Sequence, residues 1–296
     1  MGPKSASERR LFLALAIGSI IFILEILGGL ISNSLALLSD AGHILVDIFA
    51  ITLAIFATRV SERPHTPILS YGYHRTEVLS SFVNGLVLVG MSGYIFLEGY
   101  RRILNPPEVE VATLLLVASI GLVGNLLMMS LLRGAGISRL HIKGAYLHVM
   151  GDTLLSLGVI TGGVVLLFTN FVLIDAIIAT TIGIVILITG LGLVRESGSI
   201  LMERVPRGFE TGEITKAILE MEGVKAIHEL HIWTVTSGFH VLSGHVMVED
   251  QKLSEASKLV KEIDRMLKER FGISHTTIQL ENETFLKVKR TEKDEI

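Results

Sequence analysis

A helix needs roughly 20 consecutive apolar residues to cross a bilayer. This sequence supplies such a run six times, at residues 11–31, 35–57, 78–100, 111–132, 144–168 and 173–194. The charges follow the same division: of the 55 Asp, Glu, Lys and Arg residues, 26 lie in residues 1–206 and 29 in residues 207–296. The expectation is a six-helix membrane bundle over 1–206 and a water-exposed domain over 207–296, which excludes a single soluble enzyme domain. The first run follows Lys4, Arg9 and Arg10, as a signal peptide would. Its apolar stretch is too long for that and contains Glu25, so it reads as a retained helix.

A net charge of −3 offers no basic field for nucleic acid. The chain has no cysteine, so any metal must be held by His, Asp, Glu, backbone or water. Short-loop charge sets the orientation. The N-terminus and the loops with Arg59, Arg63 and Arg75 and with Arg133, Arg139 and Lys143 hold nine basic residues, against Arg101 and Arg102 on the other side. The positive-inside rule then puts both termini in the cytoplasm. Short loops and no targeting segment fit a multi-pass protein of the cytoplasmic membrane.

Beyond Arg207 the periodicity changes. Residues 211–221 read as a helix with Ile214, Ala217, Ile218 and Met221 on one face. Residues 225–235 and 239–248 read as strands around the turn Ser237-Gly238, 253–271 as an amphipathic helix, and 274–280 as a last strand. The order α-β-β-α-β implies a small ferredoxin-like α+β domain, with the last residues through Ile296 disordered.

A charge at bilayer depth costs at least about 2.5–3.5 kcal/mol, so each one needs a reason. The second run holds His43 and Asp47 and the fifth holds His148 and Asp152, both as His-x-x-x-Asp. A spacing of four puts both side chains on one helix face. Two such helices facing each other supply two nitrogens and two oxygens, a tetrahedral set suited to Zn²⁺ and also to Cd²⁺ or Co²⁺. One dication, two carboxylates and two neutral imidazoles sum to zero charge, which suits a low dielectric. The competing reading of a single pair is a self-neutralising hydrogen bond; the second copy favours a shared metal site. Metal binding expels protons from such ligands, so exchange of metal for protons follows.

These features resemble the cation diffusion facilitator family of zinc exporters. The likeness rests on the six spans, the two His-x-x-x-Asp pairs, the stretch Ser34–His43, Tyr71-Gly72-Tyr73-His74-Arg75, Leu147–Asp152, His228–Trp233 and His275–Gln279. It implies a homodimer that exports zinc from the cytoplasm in exchange for protons, through a transport site of His43, Asp47, His148 and Asp152. In relatives with a regulatory metal cluster, the positions of His228 and His245 are ligands joined by final-strand residues, here Gln279 and Glu281. An amide is a poor substitute for imidazole at zinc, but a His pair with a carboxylate is compatible with it.

A hairpin turning at Ser237-Gly238 opposes positions summing to about 475, with Leu230 across from His245. That register sets His228 and His245 on one face and His231 and His240 on the other. Asp40, three residues before His43, either guides cations and hydrogen-bonds beside the site or is an early-turn carboxylate near the interface. Glu25, Asn84, Glu98, Asn125 and Asp175 are read as interhelical partners, and Arg75 and Glu77 as interfacial anchors or an ion pair. The alternatives to an antiporter are an intramembrane metalloenzyme and a metal sensor using the same four residues. A catalytic zinc keeps an open position, and neither His-Glu-x-x-His nor Gly-x-Ser-x-Gly occurs in the chain. A transporter rather than an enzyme is therefore expected.

Overall fold

The computed structural model describes residues 6–136 and 140–282. Six long helices come first: α1 (Ala6–Ser32), α2 (Leu35–Ser61), α3 (Arg75–Leu104), α4 (Val111–Gly136), α5 (Leu140–Thr169) and α6 (Leu173–Leu201). By length and composition, α2 to α6 are able to cross a membrane, and α1 contains the shorter apolar stretch Ala16–Ser32. The smaller elements are α7 (Thr211–Leu219), β1 (Val224–Thr236), β2 (Phe239–Val248), α8 (Leu253–Phe271) and β3 (His275–Glu281). The order α-β-β-α-β is as expected. The expected disorder toward Ile296 and the positions of Lys4 and Arg139 lie outside the described residues.

Packing divides the chain into two compact units, one of residues 1–55 and 83–194, the other of residues 56–82 and 195–296. In the first, α1 packs on α4 and α4 on α5. Small residues allow this close approach. A Cβ at Gly28 would lie 2.6 Å from a Val117 methyl, and one at Gly124 would lie 2.5 Å from Ile21. Leu35, Leu37, Val46, Leu88, Ile182 and Ile186 form the buried centre of this unit.

The start of α2 is fixed by an acid from another helix. Asn33 adopts a left-handed φ of 53°, and the Ser34 hydroxyl accepts the Leu37 N–H at 3.2 Å as an N-cap. Asp175, buried in the first turn of α6, accepts the Ser34 hydroxyl at 2.5 Å and the Leu35 and Ala36 N–H groups at 2.6 and 3.3 Å. A carboxylate at the positive end of the helix dipole is favoured there. Arg102 approaches the same carboxylate at 3.8 Å and donates to the Asn33 carbonyl at 2.6 Å.

In the second unit, β1 and β2 are antiparallel and β2 and β3 parallel, in the order β1-β2-β3. Ile232, Leu242 and Val246 on one sheet face are buried with Ile214, Ile218, Ile263 and Leu267 of the helices. α8 ends at Gly272, whose φ of 69° lets its N–H and that of Ile273 turn back to the last carbonyls.

The hairpin register differs from the expected one. Thr236 opposes Phe239 across the two-residue turn, but β1 then shifts between Thr234 and Thr236 and again between His228 and His231. Glu229, at φ 49°, sits in the second shift. Each extra residue on β1 moves the pairing by one. His228 therefore opposes His245 directly, and Leu230 does not. His231 opposes Ser243 and so shares the face of His228 and His245, while His240 opposes Thr234 on the other face. The expected pairing of His231 with His240 on one face is corrected accordingly.

Replacing Asp175 by Ala leaves buried donors at the start of α2 without an acceptor, which costs about 1–3 kcal/mol. The expected outcome is a lower thermal midpoint for the detergent-solubilised protein, measured by tryptophan fluorescence or circular dichroism.

Candidate metal sites

Each His-x-x-x-Asp pair lies within a continuous helix, so both of its side chains leave the same face one turn apart. Those faces of α2 and α5 converge. His43 Nε2 lies 3.9 Å from an Asp47 oxygen and 3.8 Å from an Asp152 oxygen. His148 Nε2 lies 3.1 Å from Asp47 and 3.8 Å from Asp152. The two imidazole rings meet edge to face with centroids 6.0 Å apart.

All four imidazole–carboxylate pairs thus fall between 3.1 and 3.9 Å. A tetrahedral zinc with bonds of about 2.0–2.2 Å has ligand–ligand edges of about 3.3–3.6 Å. The observed separations lie around that range, and among the described residues His43, Asp47 and Asp152 bring one donor atom each within 4.8 Å of one another. His148 stands outside that compact group, reaching Asp47 at 3.1 Å and the other Asp152 oxygen at 3.8 Å. A cavity of about 270 Å³ opens onto Asp47, His148 and Asp152, with Ile21, Ile44 and Met128 among its apolar walls. His43 is partly buried, and its Nδ1 is buried with no hydrogen-bond partner among the described residues.

Asp40 is 3% exposed. It accepts the Ser156 hydroxyl at 3.4 Å, and Asn125 donates to Ser156 at 3.2 Å. This buried polar chain links α2, α5 and α4 beside the four-residue cluster.

A second cluster sits on the sheet face away from the helices of the small domain. Glu281 bridges the His pair, with 2.6 Å from one oxygen to His245 Nδ1 and 3.3 Å from the other to His228 Nε2. The second oxygen is buried and receives no hydrogen bond of proper geometry, an acceptor suited to a cation. Gln279 turns its amide nitrogen to Glu281 at 2.8 Å, so it is a partner of the carboxylate rather than of the imidazoles. His228, His245 and Glu281 offer donor atoms within 4.8 Å of one another and fit a zinc ion with open positions. Glu229, carried inward by the bulge, reaches within 3.5 Å of His245 Nε2. Sequence reasoning missed it because a strand read without the bulge points it elsewhere.

The loop between α2 and α3 shows what its polar residues do. Arg75 pairs with Glu203 at 2.7 Å. Glu77 accepts the Ser61 hydroxyl at the end of α2 at 2.8 Å, and the Thr236 hydroxyl at the hairpin turn at 2.6 Å. His74 packs edge-on against Phe239, with ring centroids 5.7 Å apart. This brings the loop onto the β1–β2 turn. His65 belongs to neither metal-ligand cluster among the described residues.

The fold is an apolar multi-helix bundle with imidazoles and carboxylates brought together inside it. Residues 11–202 match the family of the cation efflux transmembrane domain, and residues 206–283 match the cation efflux protein cytoplasmic domain. The chain belongs to the cation efflux family. It is 40% identical to the metal cation efflux system protein CzcD of Cupriavidus metallidurans, over 93% of this chain and 87% of that protein. It is 36% identical to a cadmium, cobalt and zinc/H(+)-K(+) antiporter of Bacillus subtilis, over 95% of this chain and 91% of the relative. It is 34% identical to the zinc transporter ZitB of Pectobacterium atrosepticum, over 94% and 87% respectively. Those relatives are named as transporters, and this chain is a multi-pass membrane transporter, not an enzyme.

His240 gives the small domain a pH dependence. Its ring packs on Phe209 with centroids 4.8 Å apart, one nitrogen shares a 3.0 Å hydrogen bond with Thr234, and burial pushes its pKa below the ordinary 6.5. The unfolded chain then binds more protons than the folded one. The stability from neutral His240 is complete above the unfolded value and is lost as pH falls toward the folded one. The midpoint of domain unfolding in the full-length protein is expected to drop below about pH 6.5, and His240→Gln is expected to flatten that part of the profile.

Proposed function

We propose that this protein exports Zn²⁺, and with it Cd²⁺ or Co²⁺, from the cytoplasm in exchange for protons. The transport site is His43, Asp47, His148 and Asp152, which open alternately to the two sides of the membrane. The single observation that carries this reading is the approach of both imidazoles to both carboxylates at 3.1–3.9 Å. Zinc bound there forms a neutral complex, and its arrival requires ionised carboxylates and neutral imidazoles, so protons leave as the metal enters. Reprotonation of the vacated carboxyls restores neutrality and resets the site. The name of the Bacillus subtilis relative, which pairs cadmium, cobalt and zinc with protons and potassium ions, supports the proton part of this exchange.

The remaining parts of the reading follow from the sequence. Residues 1–206 span the cell membrane with both termini in the cytoplasm, and residues 207–296 form a cytoplasmic domain. The match of residues 206–283 to a cation efflux cytoplasmic domain supports that division. The working unit is a homodimer. In the cytoplasmic domain, His228, His245 and Glu281 would hold a regulatory zinc, fixing β1, β2 and β3 to one another at the open sheet face, with Gln279 orienting the carboxylate.

Removing one aspartate leaves the zinc complex with a net charge at bilayer depth, costing at least about 2.5–3.5 kcal/mol, which is on the order of 100-fold. Asp47→Ala and Asp152→Ala are each expected to abolish zinc accumulation in inside-out vesicles while the protein remains folded in the membrane. Retained flux in both variants contradicts the four-ligand site. His43→Asp trades a nitrogen for an oxygen donor, and competition assays are expected to show a weaker preference for zinc over cadmium or manganese.

A further inference from the structure

We infer that Glu25 of α1 is a proton-exchanging carboxyl of the transport cycle, distinct from the four metal ligands. This rests on the four-ligand reading and extends it to a site on a helix that supplies no ligand.

Glu25 is 1% exposed, and its Oε2 has no hydrogen-bond partner. No ion pair joins it to a cation among the described residues. A carboxylate in the low dielectric of a membrane protein, with neither donor nor counter-ion, persists only if it is neutral for part of its working life. The fold reserves space for this group. A Cβ at Gly121 of α4 would lie 2.5 Å from Glu25 Oε1, so a glycine there leaves room for the carboxyl head. Packing alone would be served by an apolar side chain.

The position of Glu25 connects it to the transport site. Gly18 and Ile21, seven and four residues earlier on the same face of α1, line the cavity that also touches Asp47, His148 and Asp152. The charged groups that act on Glu25 through space are Asp40 of α2 and Asp152 of α5.

Those surroundings give the exchange its direction. With the metal site empty, no cation and no donor to Oε2 balances a carboxylate at this buried position, and the group carries its proton. A dication held by His43, Asp47, His148 and Asp152 reverses the sign of the local field, and Glu25 releases its proton: RCOOH becomes RCOO⁻ and H⁺. When zinc departs, the carboxylate takes a proton back. Charge in this part of the bundle is thereby buffered in both states. Proton release per zinc then exceeds what the four ligands supply by themselves.

The test counts protons released per zinc bound, by calorimetry of the full-length protein in buffers of different ionisation enthalpy at fixed pH. Glu25→Gln keeps size and polarity but cannot exchange a proton. It is expected to bind zinc and to release fewer protons, by up to one per zinc, with a flatter pH dependence of zinc flux. Glu25→Asp is expected to restore release toward that of the parent. A Glu25→Gln variant with the parent's proton count and pH profile overturns the inference. If that variant fails to insert, Gly121→Ala crowds the same carboxyl and is expected to shift the pH midpoint of zinc binding; an unchanged midpoint overturns it equally. Loss of the inference is separable from loss of the function proposed above. Asp47→Ala that still binds zinc normally contradicts the transport site itself, whatever Glu25 does.

Discussion

The structure turns on the cost of placing a dication in a medium that solvates charge poorly. In the function proposed above, two carboxylates and two neutral imidazoles would cancel the charge of Zn²⁺ and fill a tetrahedral shell, so the loaded site would be neutral where a bare ion is not tolerated. The arrangement requires two helix faces to meet with an accuracy of a few tenths of an ångström. Much of the first unit serves that end. Asp175 grips the first turn of α2 through three donors, and glycines let α1 approach α4 closely. The Asn125–Ser156–Asp40 chain links α4, α5 and α2 beside the ligands. These interactions set the position and rotation of the helices before any metal arrives.

The two clusters differ in a way that matches different tasks. The set in the helices has two imidazoles and two carboxylates, whose charge would cancel that of a dication. The set on the sheet has two imidazoles and one carboxylate, with Gln279 and Glu229 as neighbours of Glu281 and His245. A site with three donors leaves coordination positions to water or to another chain. α2 carries His43 and Asp47 in one unit and ends at Ser61 in the other, where Glu77 ties it to Thr236 of the hairpin.

The helices, and the approach of the two His-x-x-x-Asp faces, were legible because both depend on local periodicity. Long apolar runs have no other stable use than a membrane or a core, and an i, i+4 spacing fixes a shared face without knowledge of any neighbour. The ends of β2 and α8 followed from the same logic. The hairpin register did not, because it depends on backbone φ at Glu229, a residue with no glycine or asparagine signal for left-handed geometry. That bulge put His228 directly across from His245, brought Glu229 toward the cluster, and moved His231 to the face opposite His240. Asp175 and Glu25 looked alike in sequence, as acids inside or at the edge of apolar runs. Only the fold separates them: one meets a helix N-terminus and Arg102, and the other meets a glycine.

The most direct measurement is anomalous scattering at the zinc edge from crystals of the metal-loaded protein, which reports metal position independently of transport and of pH. The account predicts a peak between α2 and α5, about 2.0–2.2 Å from one atom each of His43, Asp47, His148 and Asp152. No anomalous density at that place, or side chains of those residues turned toward lipid, contradicts it.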